Sequence, residues 1–136
     1  MKVPEPAGTA FSGGTAPLST SLRPRGPVRL GLSADHDADG TTVVHMTGEL
    51  DVLTAPKLAA RLDEALRRDA GDVHVDLRDV EFIDSAGLHV LLNAQRRLTR
   101  RSRRLSVLCG PGPVRRVIEL ARLVETLGVI PGRPRG

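Results

Sequence analysis

The 136-residue chain has almost no aromatic side chains: Phe11 and Phe82 are the only two, and tryptophan and tyrosine are absent. Platforms for single-stranded nucleic acid stack bases on such rings, so that class of partner is not expected. There is one cysteine, Cys109. It can form no internal disulfide, which fits a reducing compartment. No run approaches the ~18 consecutive apolar residues that a membrane span needs. The first 27 residues are interrupted throughout by proline and glycine and lack the apolar block of a secretory signal. A cytoplasmic protein with no membrane partner is the expectation.

Hydrophobic residues make up 40% of the chain, enough for a core built from Val, Leu and Ala. Net charge is +4, and all of it lies in the ends: Lys2, Arg23, Arg25, Arg133 and Arg135 against Glu5. The central part is neutral but dipolar. Val28–Gln95 holds 6 basic and 13 acidic residues, and Arg96–Gly132 holds 9 and 2. A uniformly basic nucleic-acid surface is therefore not expected.

Read along the chain, residues 1–27 form a Pro/Gly/Ser-rich tail expected to be disordered. One domain is expected over 28–131, followed by a short tail at 132–136. Val28, Leu30 and Leu32 alternate with polar or small residues and predict a first strand. Asp35–Gly40 is a turn and Thr41–Thr47 a second strand, giving a hairpin. Helix signals follow Gly48-Glu49-Leu50-Asp51: Thr54 as N-cap, Pro56 in the first turn, Leu58, Leu62, Ala65 and Leu66 as apolar stripe, Gly71 as stop. Val73, Val75 and Leu77 alternate as a strand, and a helix opens at Asp84-Ser85-Ala86-Gly87. Its stripe is Leu88, Leu91, Leu92, Gln95 and Leu98. Leu105–Cys109 predicts another strand, Gly110-Pro111-Gly112-Pro113 a turn, and Val114, Val117, Ile118 and Ala121 a last helix before a closing segment, Val124–Ile130. The order β-β-α-β-α-β-α implies an α/β domain with a small mixed β-sheet.

Chemistry-bearing residues are few. Ser85 stands where the first N–H groups of a helix lack partners, so a helix cap is its ordinary role. The G-x-S-x-G elbow of a hydrolase is absent, and His89, one turn on, has no third group to orient it. Asp35-His36-Asp37-Ala38-Asp39-Gly40 begins like a calcium loop, but its twelfth position is Met46 where a bidentate Glu is needed. His36, His45 and His74 have no ligand spacing, so no metal site is expected. Arg100, Arg101, Arg103 and Arg104 are read as a solvated helix end or an acidic-partner patch. Without phosphate-cradling motifs, neither an enzyme nor a cofactor is expected.

Two separated motifs carry a resemblance. Gly48-Glu49-Leu50-Asp51 with Thr54-Ala55-Pro56, and Phe82-Ile83-Asp84-Ser85-Ala86-Gly87-Leu88 after Val75-Asp76-Leu77, resemble the STAS domain. More narrowly, the chain is similar to the bacterial anti-sigma factor antagonists from about Val28 to Ile130. The resemblance implies a single STAS domain that acts as a binding switch. Its partners would be an anti-sigma factor that is a serine kinase, and a PP2C-type phosphatase. Ser85 would be the phosphorylated residue, and Asp51, Asp84, Ser85, Ala86, Gly87 and His89 the partner-binding surface. The alternative is a STAS subunit of a stress-sensing or lipid-transport assembly that works without phosphorylation. Ala86 and His89 depart from the family pattern, as does Ala121-Arg122-Leu123 near the last helix.

Overall fold

The computed structural model describes residues 30–131. Val28 and the two expected tails therefore lie outside the described residues. Within them run β1 (Leu30–His36), β2 (Thr42–Leu50), α1 (Ala55–Arg68), β3 (Val73–Ile83), α2 (Ser85–Thr99), β4 (Leu105–Leu108), α3 (Pro113–Leu120) and β5 (Val129–Ile130). The expected order holds, and the closing segment adds a short fifth strand.

The five strands lie in sequence order. β1 is antiparallel to β2, and the other neighbours are parallel. Register explains the core. Val44, Val75 and Val107 are partners across three strands, as are Thr42, Val73 and Leu105, and all six are buried. Leu58, Leu62 and Leu66 of α1, Leu91, Ala94 and Leu98 of α2, and Val114 and Ile118 of α3 close onto that same core. A strand's period of two turns the intervening residues to the opposite face. There His45 bridges two carboxylates, with Nδ1 at 3.0 Å from Asp76 Oδ2 and Nε2 at 3.1 Å from Asp35 Oδ2. Arg78 donates to Asp76 through Nε at 2.8 Å and through Nη2 at 2.7 Å. Burial raises the Asp76 carboxyl pKa, but the hydrogen bonds from Arg78 and His45 outweigh it and hold the group well below the carboxylate range.

Several local expectations change. β1 continues to His36, so the hairpin turn is shorter than Asp35–Gly40. Met46 is buried in β2, which closes the calcium-loop reading at its twelfth position. β3 runs on to Ile83 because it carries two register breaks against β2. Its buried apolar residues are Val73, Val75, Leu77, Val80 and Ile83, so each extra residue lengthens the period from two to three. Gly48 stands at the second break with φ 101°, a conformation that a side chain disfavours. Gly71 lies past the end of α1, and its role is close packing: a Cβ there would lie 2.2 Å from the Gly40 carbonyl oxygen.

The carbonyls at the end of α1 are held by an arginine. Arg103, only 8% exposed, donates to the carbonyls of Gly71 at 2.7 Å, Leu66 at 3.2 Å and Ala65 at 3.4 Å. Arg101 also reaches the Leu66 carbonyl, at 2.9 Å. Half of the expected solvated arginine run is thus structural. In α3, Val114 and Ile118 are buried while Ala121 is an exposed C-cap.

Candidate functional site

β2 and β3 end side by side: Leu50 pairs with Ile83, and the Asp84 N–H donates to the Leu50 carbonyl at 3.2 Å. From this shared rim the chain leaves twice, into α1 through Asp51–Thr54 and into α2 through Asp84. The topology therefore brings the two sequence motifs together at the carboxyl ends of adjacent parallel strands, where binding sites of α/β sheets collect.

An aspartate shapes each exit. Asp51 Oδ1 accepts from the N–H groups of Leu53 at 2.9 Å and Thr54 at 3.1 Å. Thr54, expected as the α1 cap, makes no side-chain cap bond. It is buried, its hydroxyl donates to the Glu49 carbonyl at 2.6 Å, and it accepts the Asp51 N–H at 2.9 Å. Thr54 ties the turn to the strand while Asp51 satisfies the free N–H groups.

At the second exit the cap is Asp84, not Ser85. Asp84 Oδ1 accepts from the N–H groups of Ala86 at 2.9 Å and Gly87 at 3.3 Å. An N-cap needs extended backbone and an acceptor, and Asp84 has both, with φ −122° and ψ −171°. Ser85 is the first helical residue, and its side chain is exposed. Among the described residues its hydroxyl makes no hydrogen bond.

The remaining expected residues take different places. Ala86 is half-buried and His89 exposed on the next turn of α2. His89 also lines a shallow cleft between α1 and α2 with Ala59, Leu62, Val90, Asn93 and Ala94. Gly87 is buried. A Cβ on it would lie 2.5 Å from Leu50 Cγ and 2.9 Å from Ile83 Cγ1. Its part is to let the start of α2 settle against the ends of β2 and β3. The buried stripe of α2 accordingly uses small residues, Gly87 and Ala94, with Leu91 and Leu98, whereas Leu88 and Leu92 pack only partly.

Two features of the rim escaped the sequence reading. Val52 and Leu53 project from the turn, 68% and 71% exposed. The carboxylates of Asp51 and Asp84 have no ion pair among the described residues. Both aspartates spend one oxygen on the backbone and leave the second without a partner there. Among the described residues no group of three His, Cys, Asp or Glu side chains is placed to hold a metal ion. Cys109 is buried, and that burial raises its thiol pKa. No described helix is long and apolar enough to cross a membrane.

Comparison with known proteins accounts for this arrangement. Residues 33–130 match the family model described as Mlab, STAS domain. The anti-sigma F factor antagonist of Paenibacillus polymyxa is 28% identical over 91 residues, which are 66% of this chain and 78% of that protein. The anti-sigma-B factor antagonist of Staphylococcus epidermidis is 30% identical over 89 residues, 65% of this chain and 82% of that one. The crystal structure of an anti-sigma factor antagonist from Mycobacterium paratuberculosis superposes with a TM-score of 0.69. It is 29% identical and covers 78% of this chain and 89% of that one. The chain belongs to the STAS domain family, among the bacterial anti-sigma factor antagonists.

Proposed function

We propose that this protein binds an anti-sigma factor serine kinase while Ser85 is free, so that the sigma factor is released, and that phosphorylation of Ser85 ends the binding. The observation that carries this reading is the division of labour at the α2 start. Asp84 does the capping, which leaves the Ser85 hydroxyl exposed and without a structural task.

The chemistry is a simple transfer. The kinase moves the γ-phosphoryl group of ATP to Ser85 Oγ, the hydroxyl proton leaves, and ADP departs. A PP2C-type phosphatase reverses the state by hydrolysis. The new group brings about −1.5 to −2 charges to a helix N-terminus, where the dipole favours it by on the order of 1 kcal/mol. The fold therefore tolerates the modification. An interface fitted to the free hydroxyl does not, because the bulky dianion must be stripped of water and given room in the contact. Driving a complex from nearly all bound to nearly all free takes roughly 5.5 kcal/mol of differential affinity. Desolvation of a dianion together with its steric bulk supplies energies of that size.

The test is binding to ATP-dependent anti-sigma kinases of the same genome, comparing wild type with Ser85→Ala and Ser85→Glu. Wild type and Ser85→Ala should bind, only wild type should take up phosphate, and Ser85→Glu should bind weakly. If all three bind alike with no phosphate incorporated, Ser85 is no switch. A phosphorylation-independent interaction subunit then becomes the better reading.

A further inference from the structure

We propose that Val52 and Leu53 form an apolar anchor that supplies most of the affinity for the partner protein, whose matching surface is an apolar socket ringed by arginine or lysine. This rests on the partner-binding reading above and deepens it. Single exposed hydrophobic residues are ordinary on a protein surface. These two are adjacent, 68% and 71% exposed, and occupy a turn, where small and polar residues normally dominate.

They are also held in place. The Leu53 N–H is tied to Asp51 Oδ1, the Thr54 hydroxyl to the Glu49 carbonyl, and the Ala55 N–H to the Asp51 carbonyl at 2.7 Å. The turn thus presents both side chains outward in a fixed geometry, and ordering them on binding costs little. Phe82, 40% exposed, lies two residues before the Asp84 cap on the neighbouring strand.

The surroundings indicate the occupant. Asp51 and Asp84 shape the two exits of this rim and have no ion pair among the described residues. A socket with basic residues at its edge would satisfy them, whereas an acidic or anionic surface would be repelled. Roles then separate: buried apolar side chains hold the complex, the carboxylates select the partner, and Ser85 controls occupancy. Interfaces commonly concentrate their affinity in a few such anchors.

The experiment uses the full chain and whichever anti-sigma kinase binds wild type, by calorimetric titration at two salt concentrations. Val52→Ser with Leu53→Ser should raise the Kd by about 30-fold or more and keep the wild-type melting temperature and salt dependence. Val52→Met with Leu53→Met should retain binding, because apolar area is preserved. Asp51→Asn should instead flatten the salt dependence. If the double serine variant binds within about 3-fold of wild type while Ser85→Glu does not bind, the anchor is wrong and the switch stands. If wild type binds no kinase, both readings fall. Wild-type binding to phosphatidylglycerol vesicles that the double serine variant loses would assign the anchor to a membrane and overturn the protein socket.

Discussion

Gly87→Ala sets two effects of known size against each other. In a helix, alanine is favoured over glycine by about 1 kcal/mol, and no left-handed backbone angle at Gly87 opposes the change. Against this, the new methyl would lie 2.5 Å from Leu50 Cγ, 2.9 Å from Ile83 Cγ1 and 3.0 Å from Leu50 Cδ2. Neither neighbour can swing into solvent, since Leu50 is 0% and Ile83 2% exposed. Overpacking of this kind costs roughly 1–3 kcal/mol, and contacts this short place it at the upper end. A net destabilisation of about 1–2 kcal/mol should remain, near 5–15 °C in Tm for a domain of this size. With no tryptophan or tyrosine to follow, urea unfolding is read by far-ultraviolet circular dichroism. The midpoint should fall at unchanged slope. Adding Leu50→Val makes room, so the double variant should be more stable than the sum of the singles by about 1 kcal/mol. If Gly87→Ala is as stable as wild type, α2 does not depend on this close approach and the account of the rim fails.

Two further outcomes test the framework. Arg103→Met removes the donor to the Gly71 carbonyl and one of the donors to the Leu66 and Ala65 carbonyls, which keep Arg101 and the Asp69 N–H, and should cost about 1–3 kcal/mol in denaturant unfolding. Arg103→Lys should not restore the loss, because an ammonium cannot span the three acceptors; a cost below about 0.5 kcal/mol would refute the capping role. For Asp76, the folded pKa lies below the unfolded value near 3.9. Its stabilisation is therefore present above that value and lost as pH falls through it toward the folded one. Asp76→Asn should lower stability at pH 7 by about 2–4 kcal/mol and flatten the acid limb of the stability curve; an unchanged acid limb would remove Asp76 from the account.

The regular parts of the fold were legible wherever one periodicity ran undisturbed. The α1 stripe of Leu58, Leu62, Ala65 and Leu66 is buried as its spacing implies. The alternation Val73, Val75, Leu77 likewise lies on the core face. Legibility stopped where geometry between distant segments decides the outcome. The two breaks in β3 destroy the alternation after Leu77, so its last six residues do not look like a strand. Gly71 reads as a helix stop, although its partner is Gly40, thirty-one positions earlier. Arg103 reads as a solvated cation, since nothing local reveals that three carbonyls of another element await it. Capping rules located both helix starts. Thr54 does stand at the N-cap position of α1, although Asp51 makes the side-chain bonds of that turn, and at α2 the rules chose the Ser85 hydroxyl over the neighbouring Asp84. The union of Asp51 and Ser85 on one rim was legible only through the family resemblance, because thirty-three residues separate them.

The misassigned cap bears directly on how a switch can be built here. If Ser85 capped α2, a phosphate on its oxygen would have to replace the bond that starts the helix. Modification would then perturb the packing of Gly87 on Leu50 as well as the surface. With Asp84 Oδ1 taking the Ala86 and Gly87 N–H groups, the helix start is fixed in either state of Ser85. Charge can change at the rim while the backbone beneath stays put. In the proposed switch, discrimination between the two states would then come from the interface alone, through desolvation and steric bulk. A partner can read that difference without the domain changing shape. The same logic would place the proposed apolar anchor and the proposed modification site, Ser85, on different exits of the rim. On that reading Val52 and Leu53 would keep their geometry whether or not Ser85 carried phosphate, so restoring the hydroxyl would restore a surface already formed.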